Sequence, residues 1–165
     1  MRVFFALWPD GATRKGLEKI QQPIRNGRKL VAANLHLTLH YIGEVKDVKC
    51  LLDKAARISF QSMAFSLDQY GIFRRARVLW AGPEFWPEEL TALAAECRHV
   101  AAECGHPPKG ERFHPHVTLA RKIKTLPELP DFDRLSWRYS SFCLVESVST
   151  PNGVVYKKLG VFESL

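Results

Sequence analysis

The chain has no long hydrophobic run. Its leading apolar stretch, Val3 to Trp8, spans six residues before Pro9, against the roughly 20 of a membrane-spanning helix and roughly 7–15 of a secretory leader core. No later stretch comes close, so a cytoplasmic protein with no membrane association is the expectation. The four cysteines, Cys50, Cys97, Cys104 and Cys143, contain no Cys-x-x-Cys pair, which argues against a zinc knuckle or a disulfide framework. Cys97 and Cys104 lie seven apart, on one face of a predicted helix, and read as small core residues. Reduced thiols suit a cytoplasmic location. There is no low-complexity tract, no long linker and no block of like charge, so nothing divides the chain.

What remains is an ordinary globular composition, 46% apolar and 25% charged over 165 residues, a single-domain length with enough material for a core. The net charge is +7 and unevenly spread. Residues 1–82 hold 14 Lys and Arg against 6 Asp and Glu, whereas residues 83–165 hold 10 against 11. A basic excess favours anionic partners such as nucleic acid or nucleotides, although a merely solvated basic surface explains it equally well.

The most informative feature is a repeat. His36-Leu37-Thr38-Leu39 and His116-Val117-Thr118-Leu119 are the same His-x-Thr-Leu tetrapeptide, each in a short stretch that predicts a strand, Leu35–Ile42 and Val117–Ala120. In a strand, residues two apart point the same way and lie about 6.6 Å apart. Each copy therefore offers an imidazole and a hydroxyl on one face. Around the motifs the pattern recurs. A strand at Val3–Trp8 and a helix from about Ala12 to Arg25 precede the first. A strand at Val78–Ala81 and a helix opened by Trp86-Pro87-Glu88-Glu89 and ended by Gly105 precede the second. Leu7-Trp8 and Leu79-Trp80 also echo one another. Further strands are predicted at Ala64–Leu67, Gly71–Phe73, Trp137–Tyr139, Phe142–Val148 and Val154–Phe162, and a helix after Asp47. The expected fold is α+β, a bilobal internal duplication of strand-helix-strand units. Residues 1–165 would form one domain of two pseudo-symmetric lobes, roughly half the chain each with one motif per lobe. Two largely antiparallel sheets would face a central groove, with helices on the outside.

Two histidines flanking one atom supply a base and an acid near neutral pH, and two threonine hydroxyls can hold non-bridging oxygens as charge develops. That set fits displacement at phosphorus. A metal site is the chemical rival, with His36, His40, His114 and His116 as ligands. Positions 36 and 40 of a strand lie about 13 Å apart, however, and no Asp, Glu or Cys stands beside either motif at ligand spacing. No metal is expected.

These residues, with Phe4-Phe5-Ala6-Leu7 near the start, Ala120-Arg121 after the second motif and Gly153-Val-Val-Tyr156-Lys-Lys-Leu159 near the end, resemble the two-histidine phosphoesterase superfamily. Within it the chain is most similar to the RNA 2′,3′-cyclic phosphodiesterases, historically called 2′-5′ RNA ligases. The resemblance implies two motifs facing each other across a groove. It implies hydrolysis of RNA 2′,3′-cyclic phosphate ends, or of nucleoside 2′,3′-cyclic phosphates, to 2′-phosphomonoesters without cofactor. It makes His36 the proton donor and His116 the acceptor, with reversible 2′-5′ ligation by the same pair. A non-catalytic module for RNA ends or nucleotides, or a phosphodiesterase for another cyclic phosphate or a 2′,5′-oligonucleotide, stays open as an alternative.

Thr38, Thr118 and Arg121 are the phosphate-binding candidates. Arg121 lies five residues from His116, which puts it on the opposite strand face unless the strand ends or twists. His40 and His114 share their motif histidine's face by alternation. Phe5 and Tyr156 are candidates for stacking on a base, and the basic stretch Phe73-Arg74-Arg75-Ala76-Arg77 for following an RNA backbone. A self-contained duplication favours a monomer.

Overall fold

A computed structural model describes residues 1–165. The elements run β1 (Arg2–Leu7), α1 (Gly11–Gln21), β2 (Arg28–Lys29), a short 3₁₀ turn (Ala32–Asn34), β3 (Leu37–Glu44), α2 (Lys49–Ala55), β4 (Met63–Leu67), β5 (Gln69–Phe73), β6 (Val78–Gly82), α3 (Glu88–Glu103), β7 (Val117–Arg121), β8 (Leu135–Tyr139), β9 (Ser141–Thr150) and β10 (Gly153–Glu163). The class is α+β with antiparallel pairing throughout, as the sequence predicts. No helix is long and apolar enough to cross a membrane.

Helix ends follow their local chemistry. Asp10 caps α1 by accepting from the Thr13 N–H at 2.8 Å, relieving one of the donors a helix start leaves unpaired. That helix stops at Gln21, short of the predicted Arg25, because Pro23 lacks an N–H and its ring crowds the preceding turn. The acidic residues Glu88 and Glu89 sit in the first turn of α3, where the helix dipole favours them. Gly105 carries the chain out of α3 with φ +89°, a conformation that suits glycine.

The main sheet has the order β10-β9-β1-β3-β7-β6-β5, with β2 added beside β7; β4 and β8 pair separately. The two motif strands are therefore neighbours, and the motifs' strands join at a single pair, Leu37 opposite Val117. On one side of that join lie β3, β1, β9 and β10; on the other, β7, β6 and β5. The first motif's lobe thus takes strands from both ends of the chain. Leu7 pairs with Leu37 and Ala81 with Val117, so the structural counterpart of Leu7 is Ala81. The echo of Leu7-Trp8 in Leu79-Trp80 is out of register by two residues and does not reflect the repeat.

One face of the sheet carries the core. Val3, Phe5, Leu7, Leu37, Leu39, Val117 and Leu119 are buried there against Leu17 and Ile20 of α1 and the Leu90–Ala101 stripe of α3. The helices thus lie outside and leave the other face to a second, smaller cluster, Phe4, Ala6, Cys143 and Val145, with Trp8 and Tyr156 packed on it.

The cysteines depart from the sequence-based expectation. Cys50, just inside α2, and Cys104, at the end of α3, form a disulfide with their Cα atoms 5.8 Å apart, while Cys97 and Cys143 are buried and free. A pairing 54 residues apart in sequence depends on how α2 packs on α3, which no local spacing rule detects. It also removes the argument from reduced thiols for a cytoplasmic location.

Candidate active site

With Leu37 opposite Val117, an antiparallel register sets Thr38 beside His116 and Thr118 beside His36, alternating on the helix-free face. Both motif histidines, both threonines, Arg121 and Tyr156 line one open cleft of about 350 Å³, together with Phe4, Tyr41, Phe73 and Ser147. The structure thus brings together both catalytic candidates, the three phosphate-binding candidates and Tyr156, and leaves out Phe5, His40 and His114.

Phe5 is fully buried, packed edge-on to Phe142, and belongs to the core face. Its neighbour Phe4 holds the cleft position, with its ring 5.1 Å from that of His36. Both faces of β1 are apolar, so alternation alone gave no means of choosing between them.

A break in alternation decides three other positions. The register of β1 against β3 shifts between Ala6↔Thr38 and Phe5↔His40, and that of β6 against β7 shifts between Trp80↔Thr118 and Leu79↔Ala120. Each motif strand thus gains an extra residue directly after its Thr, at Leu39 and at Leu119. A β-bulge of this kind reverses which residues face which side. The His40 side chain is consequently buried on the strand that faces Phe5, not aligned with His36 as expected. Tyr41 and Arg121 become equivalent positions, both returned to the cleft. The bulge supplies the condition under which Arg121 can reach the motif face. Tyr41, 49% exposed, is a cleft residue that no sequence signal announced.

The two imidazoles are held alike. His36 Nδ1 lies 2.7 Å from the Asn34 carbonyl and His116 Nδ1 lies 2.7 Å from the His114 carbonyl. A carbonyl only accepts, so each Nδ1 carries the proton and each neutral ring presents an unprotonated Nε2. In the first motif the Thr38 hydroxyl sits 3.1 Å from His36 Nε2; the second motif has no counterpart to that bond. Aromatic walls fix both rings. Trp8 stacks on His36 at 4.8 Å and 2°, and Tyr156 meets it edge-on at 5.1 Å. His116 is flanked by Phe73 at 4.9 Å and by His114 at 5.8 Å, with Trp80 beyond at 6.1 Å.

Burial dominates the electrostatics. It takes His36 down to about 4 against the Asn34 hydrogen bond that favours the charged ring, with the neighbouring His116 and Arg121 charges adding to the depression. His116 is also lowered, first by burial and further by His114 and Arg121. Both rings are therefore neutral at pH 7, and Arg121 provides the positive charge of the cleft. Such a site is short of negative charge and suited to an anion. No three His, Cys, Asp or Glu side chains converge at metal-ligand distance anywhere in the chain.

Trp80 occupies space kept open by glycine. A Cβ on Gly71 would lie 2.1 Å from Trp80 Cζ2, so Gly71→Ala should displace the indole beside His114 and His116. The expected cost is about 1–3 kcal/mol of stability, read from urea unfolding. An unchanged midpoint would show that the strand pair absorbs the methyl.

An antiparallel α+β fold with two converging His-x-Thr-Leu strands and an arginine at one anion-sized cleft defines a phosphoester-handling protein. The chain belongs to the 2′-5′ RNA ligase superfamily, whose family model matches residues 9–150. The RNA 2′,3′-cyclic phosphodiesterase of Escherichia coli strain K12 is 34% identical over 144 residues, covering 84% of this chain and 81% of its own. The enzyme of the same name from Archaeoglobus fulgidus is 32% identical, covering 99% of this chain and all of its own. Among solved structures, Escherichia coli LigT complexed with 3′-AMP superposes with a TM-score of 0.92 at 31% identity, over 99% of this chain and 97% of that one.

Proposed function

We propose that this chain hydrolyses RNA 2′,3′-cyclic phosphate ends, and nucleoside 2′,3′-cyclic phosphates, to 2′-phosphomonoesters. The observation that carries this reading is the pair of imidazoles, each tethered through Nδ1 to a backbone carbonyl, that line one cleft beside Arg121 with Nε2 unprotonated. Water attacks phosphorus opposite O3′, and His116 Nε2 takes its proton as the P–O bond forms. The P–O3′ bond breaks and His36 Nε2 delivers the proton to O3′. Thr38, Thr118 and Arg121 hold the non-bridging oxygens, and Tyr156 and Phe4 flank the space for the terminal nucleoside. The bound phosphate favours a proton on the pair, and the roles of His36 as donor and His116 as acceptor are those the family resemblance implies. The relatives' names support the same substrate class. A binding-only module would have no use for two imidazoles tethered in the same tautomer in one cleft. The cleft is complete within one chain, which supports action as a monomer. Arg74 and Arg75 are exposed on the β5–β6 turn, directly after the Phe73 that packs against His116, which supports a contact with the RNA backbone.

The test is product analysis after incubation with nucleoside 2′,3′-cyclic monophosphates and a cyclic-phosphate-ended RNA, with EDTA present. Release of the 2′-phosphomonoester alone is expected. Absence of turnover on every cyclic phosphate, or release of the 3′-phosphomonoester, would overturn the reading.

The pH profile follows from the two depressed imidazoles. The free enzyme needs neutral His116 and protonated His36, and kcat/KM reports the free enzyme. The singly protonated pair is most populated between the two imidazole pKa values, placing the optimum below pH 6.5, the ordinary histidine value from which both are shifted down. A bound phosphate anion favours both charged rings, so the profile of kcat should lie at higher pH than that of kcat/KM. A kcat/KM optimum above pH 7 would contradict the burial of the pair.

A further inference from the structure

The two motif histidines are tethered alike, but they stand against different aromatic neighbours. Trp8 lies flat on His36, with ring centroids 4.8 Å apart and planes 2° from parallel. The rings beside His116 all meet it at a steep angle, Phe73 at 86°, Trp80 at 60° and His114 at 89°. The internal repeat accounts for the difference. Leu7 pairs with Leu37, and Ala81 with Val117, so the position equivalent to Trp8 in the second lobe is Gly82. A Cβ there would lie 2.8 Å from the Pro115 carbonyl oxygen and 2.9 Å from Trp80 Cζ3, which leaves no room for a side chain. Trp8 is partly buried and does not line the cleft, so its indole meets His36 rather than the substrate.

We infer that Trp8 is a positioning residue that favours His36 over His116 as carrier of the pair's single proton, by giving a π face to His36 alone. The inference rests on the two-histidine reading with His36 as donor, and supplies the device that reading needs. Two imidazoles in one cleft repel each other when both are charged, so the first proton they bind opposes a second. Catalysis needs that proton on the donor before the substrate reacts; on His116 it blocks the atom that must accept. Burial works against the productive arrangement, because it takes His36 down to about 4. The indole works for it. A cation over the face of a tryptophan is held by the ring quadrupole, and a neutral imidazole gains far less from the same stack. The Thr38 hydroxyl, 3.1 Å from His36 Nε2, accepts from the protonated ring, and His116 has no such partner. Arg121 repels a proton on either ring, and a charged His114 would repel one on His116. Tyr156 stays neutral, its hydroxyl pushed up by burial, and Phe4 carries no charge. Lys158 Nζ lies 5.7 Å over the same indole and opposes a second cation there, but solvent screens its exposed ammonium.

The experiment compares Trp8→Leu and Trp8→Phe with the native chain at pH 7 on two substrates. One is a nucleoside 2′,3′-cyclic phosphate, the other its analogue with sulfur in place of O3′. Trp8→Leu should lower kcat/KM for the oxygen substrate about tenfold, within the range of a desolvated cation–π contact. Trp8→Phe keeps a π face and should restore most of the loss. On the sulfur analogue, whose thiolate leaves without a proton, both variants should match the native chain. In NMR titrations of the free protein, His36 should protonate at lower pH in Trp8→Leu than in the native chain, and His116 at higher pH. A fluorinated tryptophan placed at position 8 alone keeps the shape and drains the π face, so it should act in the same direction without disturbing the fold. An equal loss on both substrates would show that the indole only shapes the cleft, and overturns the inference. Titrations that do not move overturn it as well, whatever the rates. Failure of the native chain to hydrolyse any cyclic phosphate would instead strike the phosphodiesterase reading, and the titrations would still judge the part of Trp8.

Discussion

His116→Ala is expected to reduce turnover of a nucleoside 2′,3′-cyclic phosphate by about 10²–10⁴-fold, the range for loss of one positioned proton transfer, while the protein stays folded. His36→Ala should reduce it comparably, and the double variant should fall little further than the worse single one, because the two rings serve one transition state. The roles separate with a substrate carrying sulfur in place of O3′. A thiolate departs without a proton, so His36→Ala should regain most of its activity on that substrate and His116→Ala should not. Circular dichroism and unfolding midpoints supply the control, since His36 also fills space between Trp8, Phe4 and Tyr156. Near-native turnover by His116→Ala would end the two-histidine mechanism. Rescue of His116→Ala instead of His36→Ala would exchange the two roles.

The second large effect concerns stability. The Cys50–Cys104 disulfide closes a loop of 54 residues, and the chain-entropy model assigns such a closure roughly 4 kcal/mol through the unfolded state. Cys50→Ser/Cys104→Ser should therefore unfold about 10 °C lower than the oxidised native chain, at about 2–4 °C per kcal/mol for a domain of this size. Adding reductant to the native chain should reproduce that shift and leave the double variant unaffected. The disulfide lies at the meeting of α2 and α3, on the core side of the sheet, so hydrolysis measured well below the melting temperature should be unchanged. A melting temperature indifferent to both the substitution and the reductant would mean the crosslink constrains little that the packing of α2 on α3 does not already hold.

Much of the site was legible in the residues because its signal is a repeat. A single His-x-Thr in a strand carries little information. Two copies, each followed by Leu and each preceded by a strand and a helix, specify both the chemistry and the two-lobed plan. Arg121 and Tyr156 were within reach of the same reading. Phe5 was not resolved from Phe4, because a strand buried on both faces shows no polar alternation to mark the inner one. His40 was misplaced and Tyr41 overlooked for one shared reason. The bulge after Thr38 is a feature of pairing between strands, and the same local sequence fits a regular strand equally well.

The amino-acid sequence by itself determined the class, the paired catalytic candidates and roughly where the three helices and most of the strands lie, since these follow from periodicity, capping and turn residues acting over a few positions. Tertiary structure alone decided that β3 and β7 meet at Leu37 and Val117, that bulges turn Tyr41 and Arg121 into the cleft, that Cys50 reaches Cys104, and that Trp8 stacks on His36. Each of these depends on contacts between residues far apart in the chain, whose energies are summed over the whole packing and leave no local mark on composition or spacing.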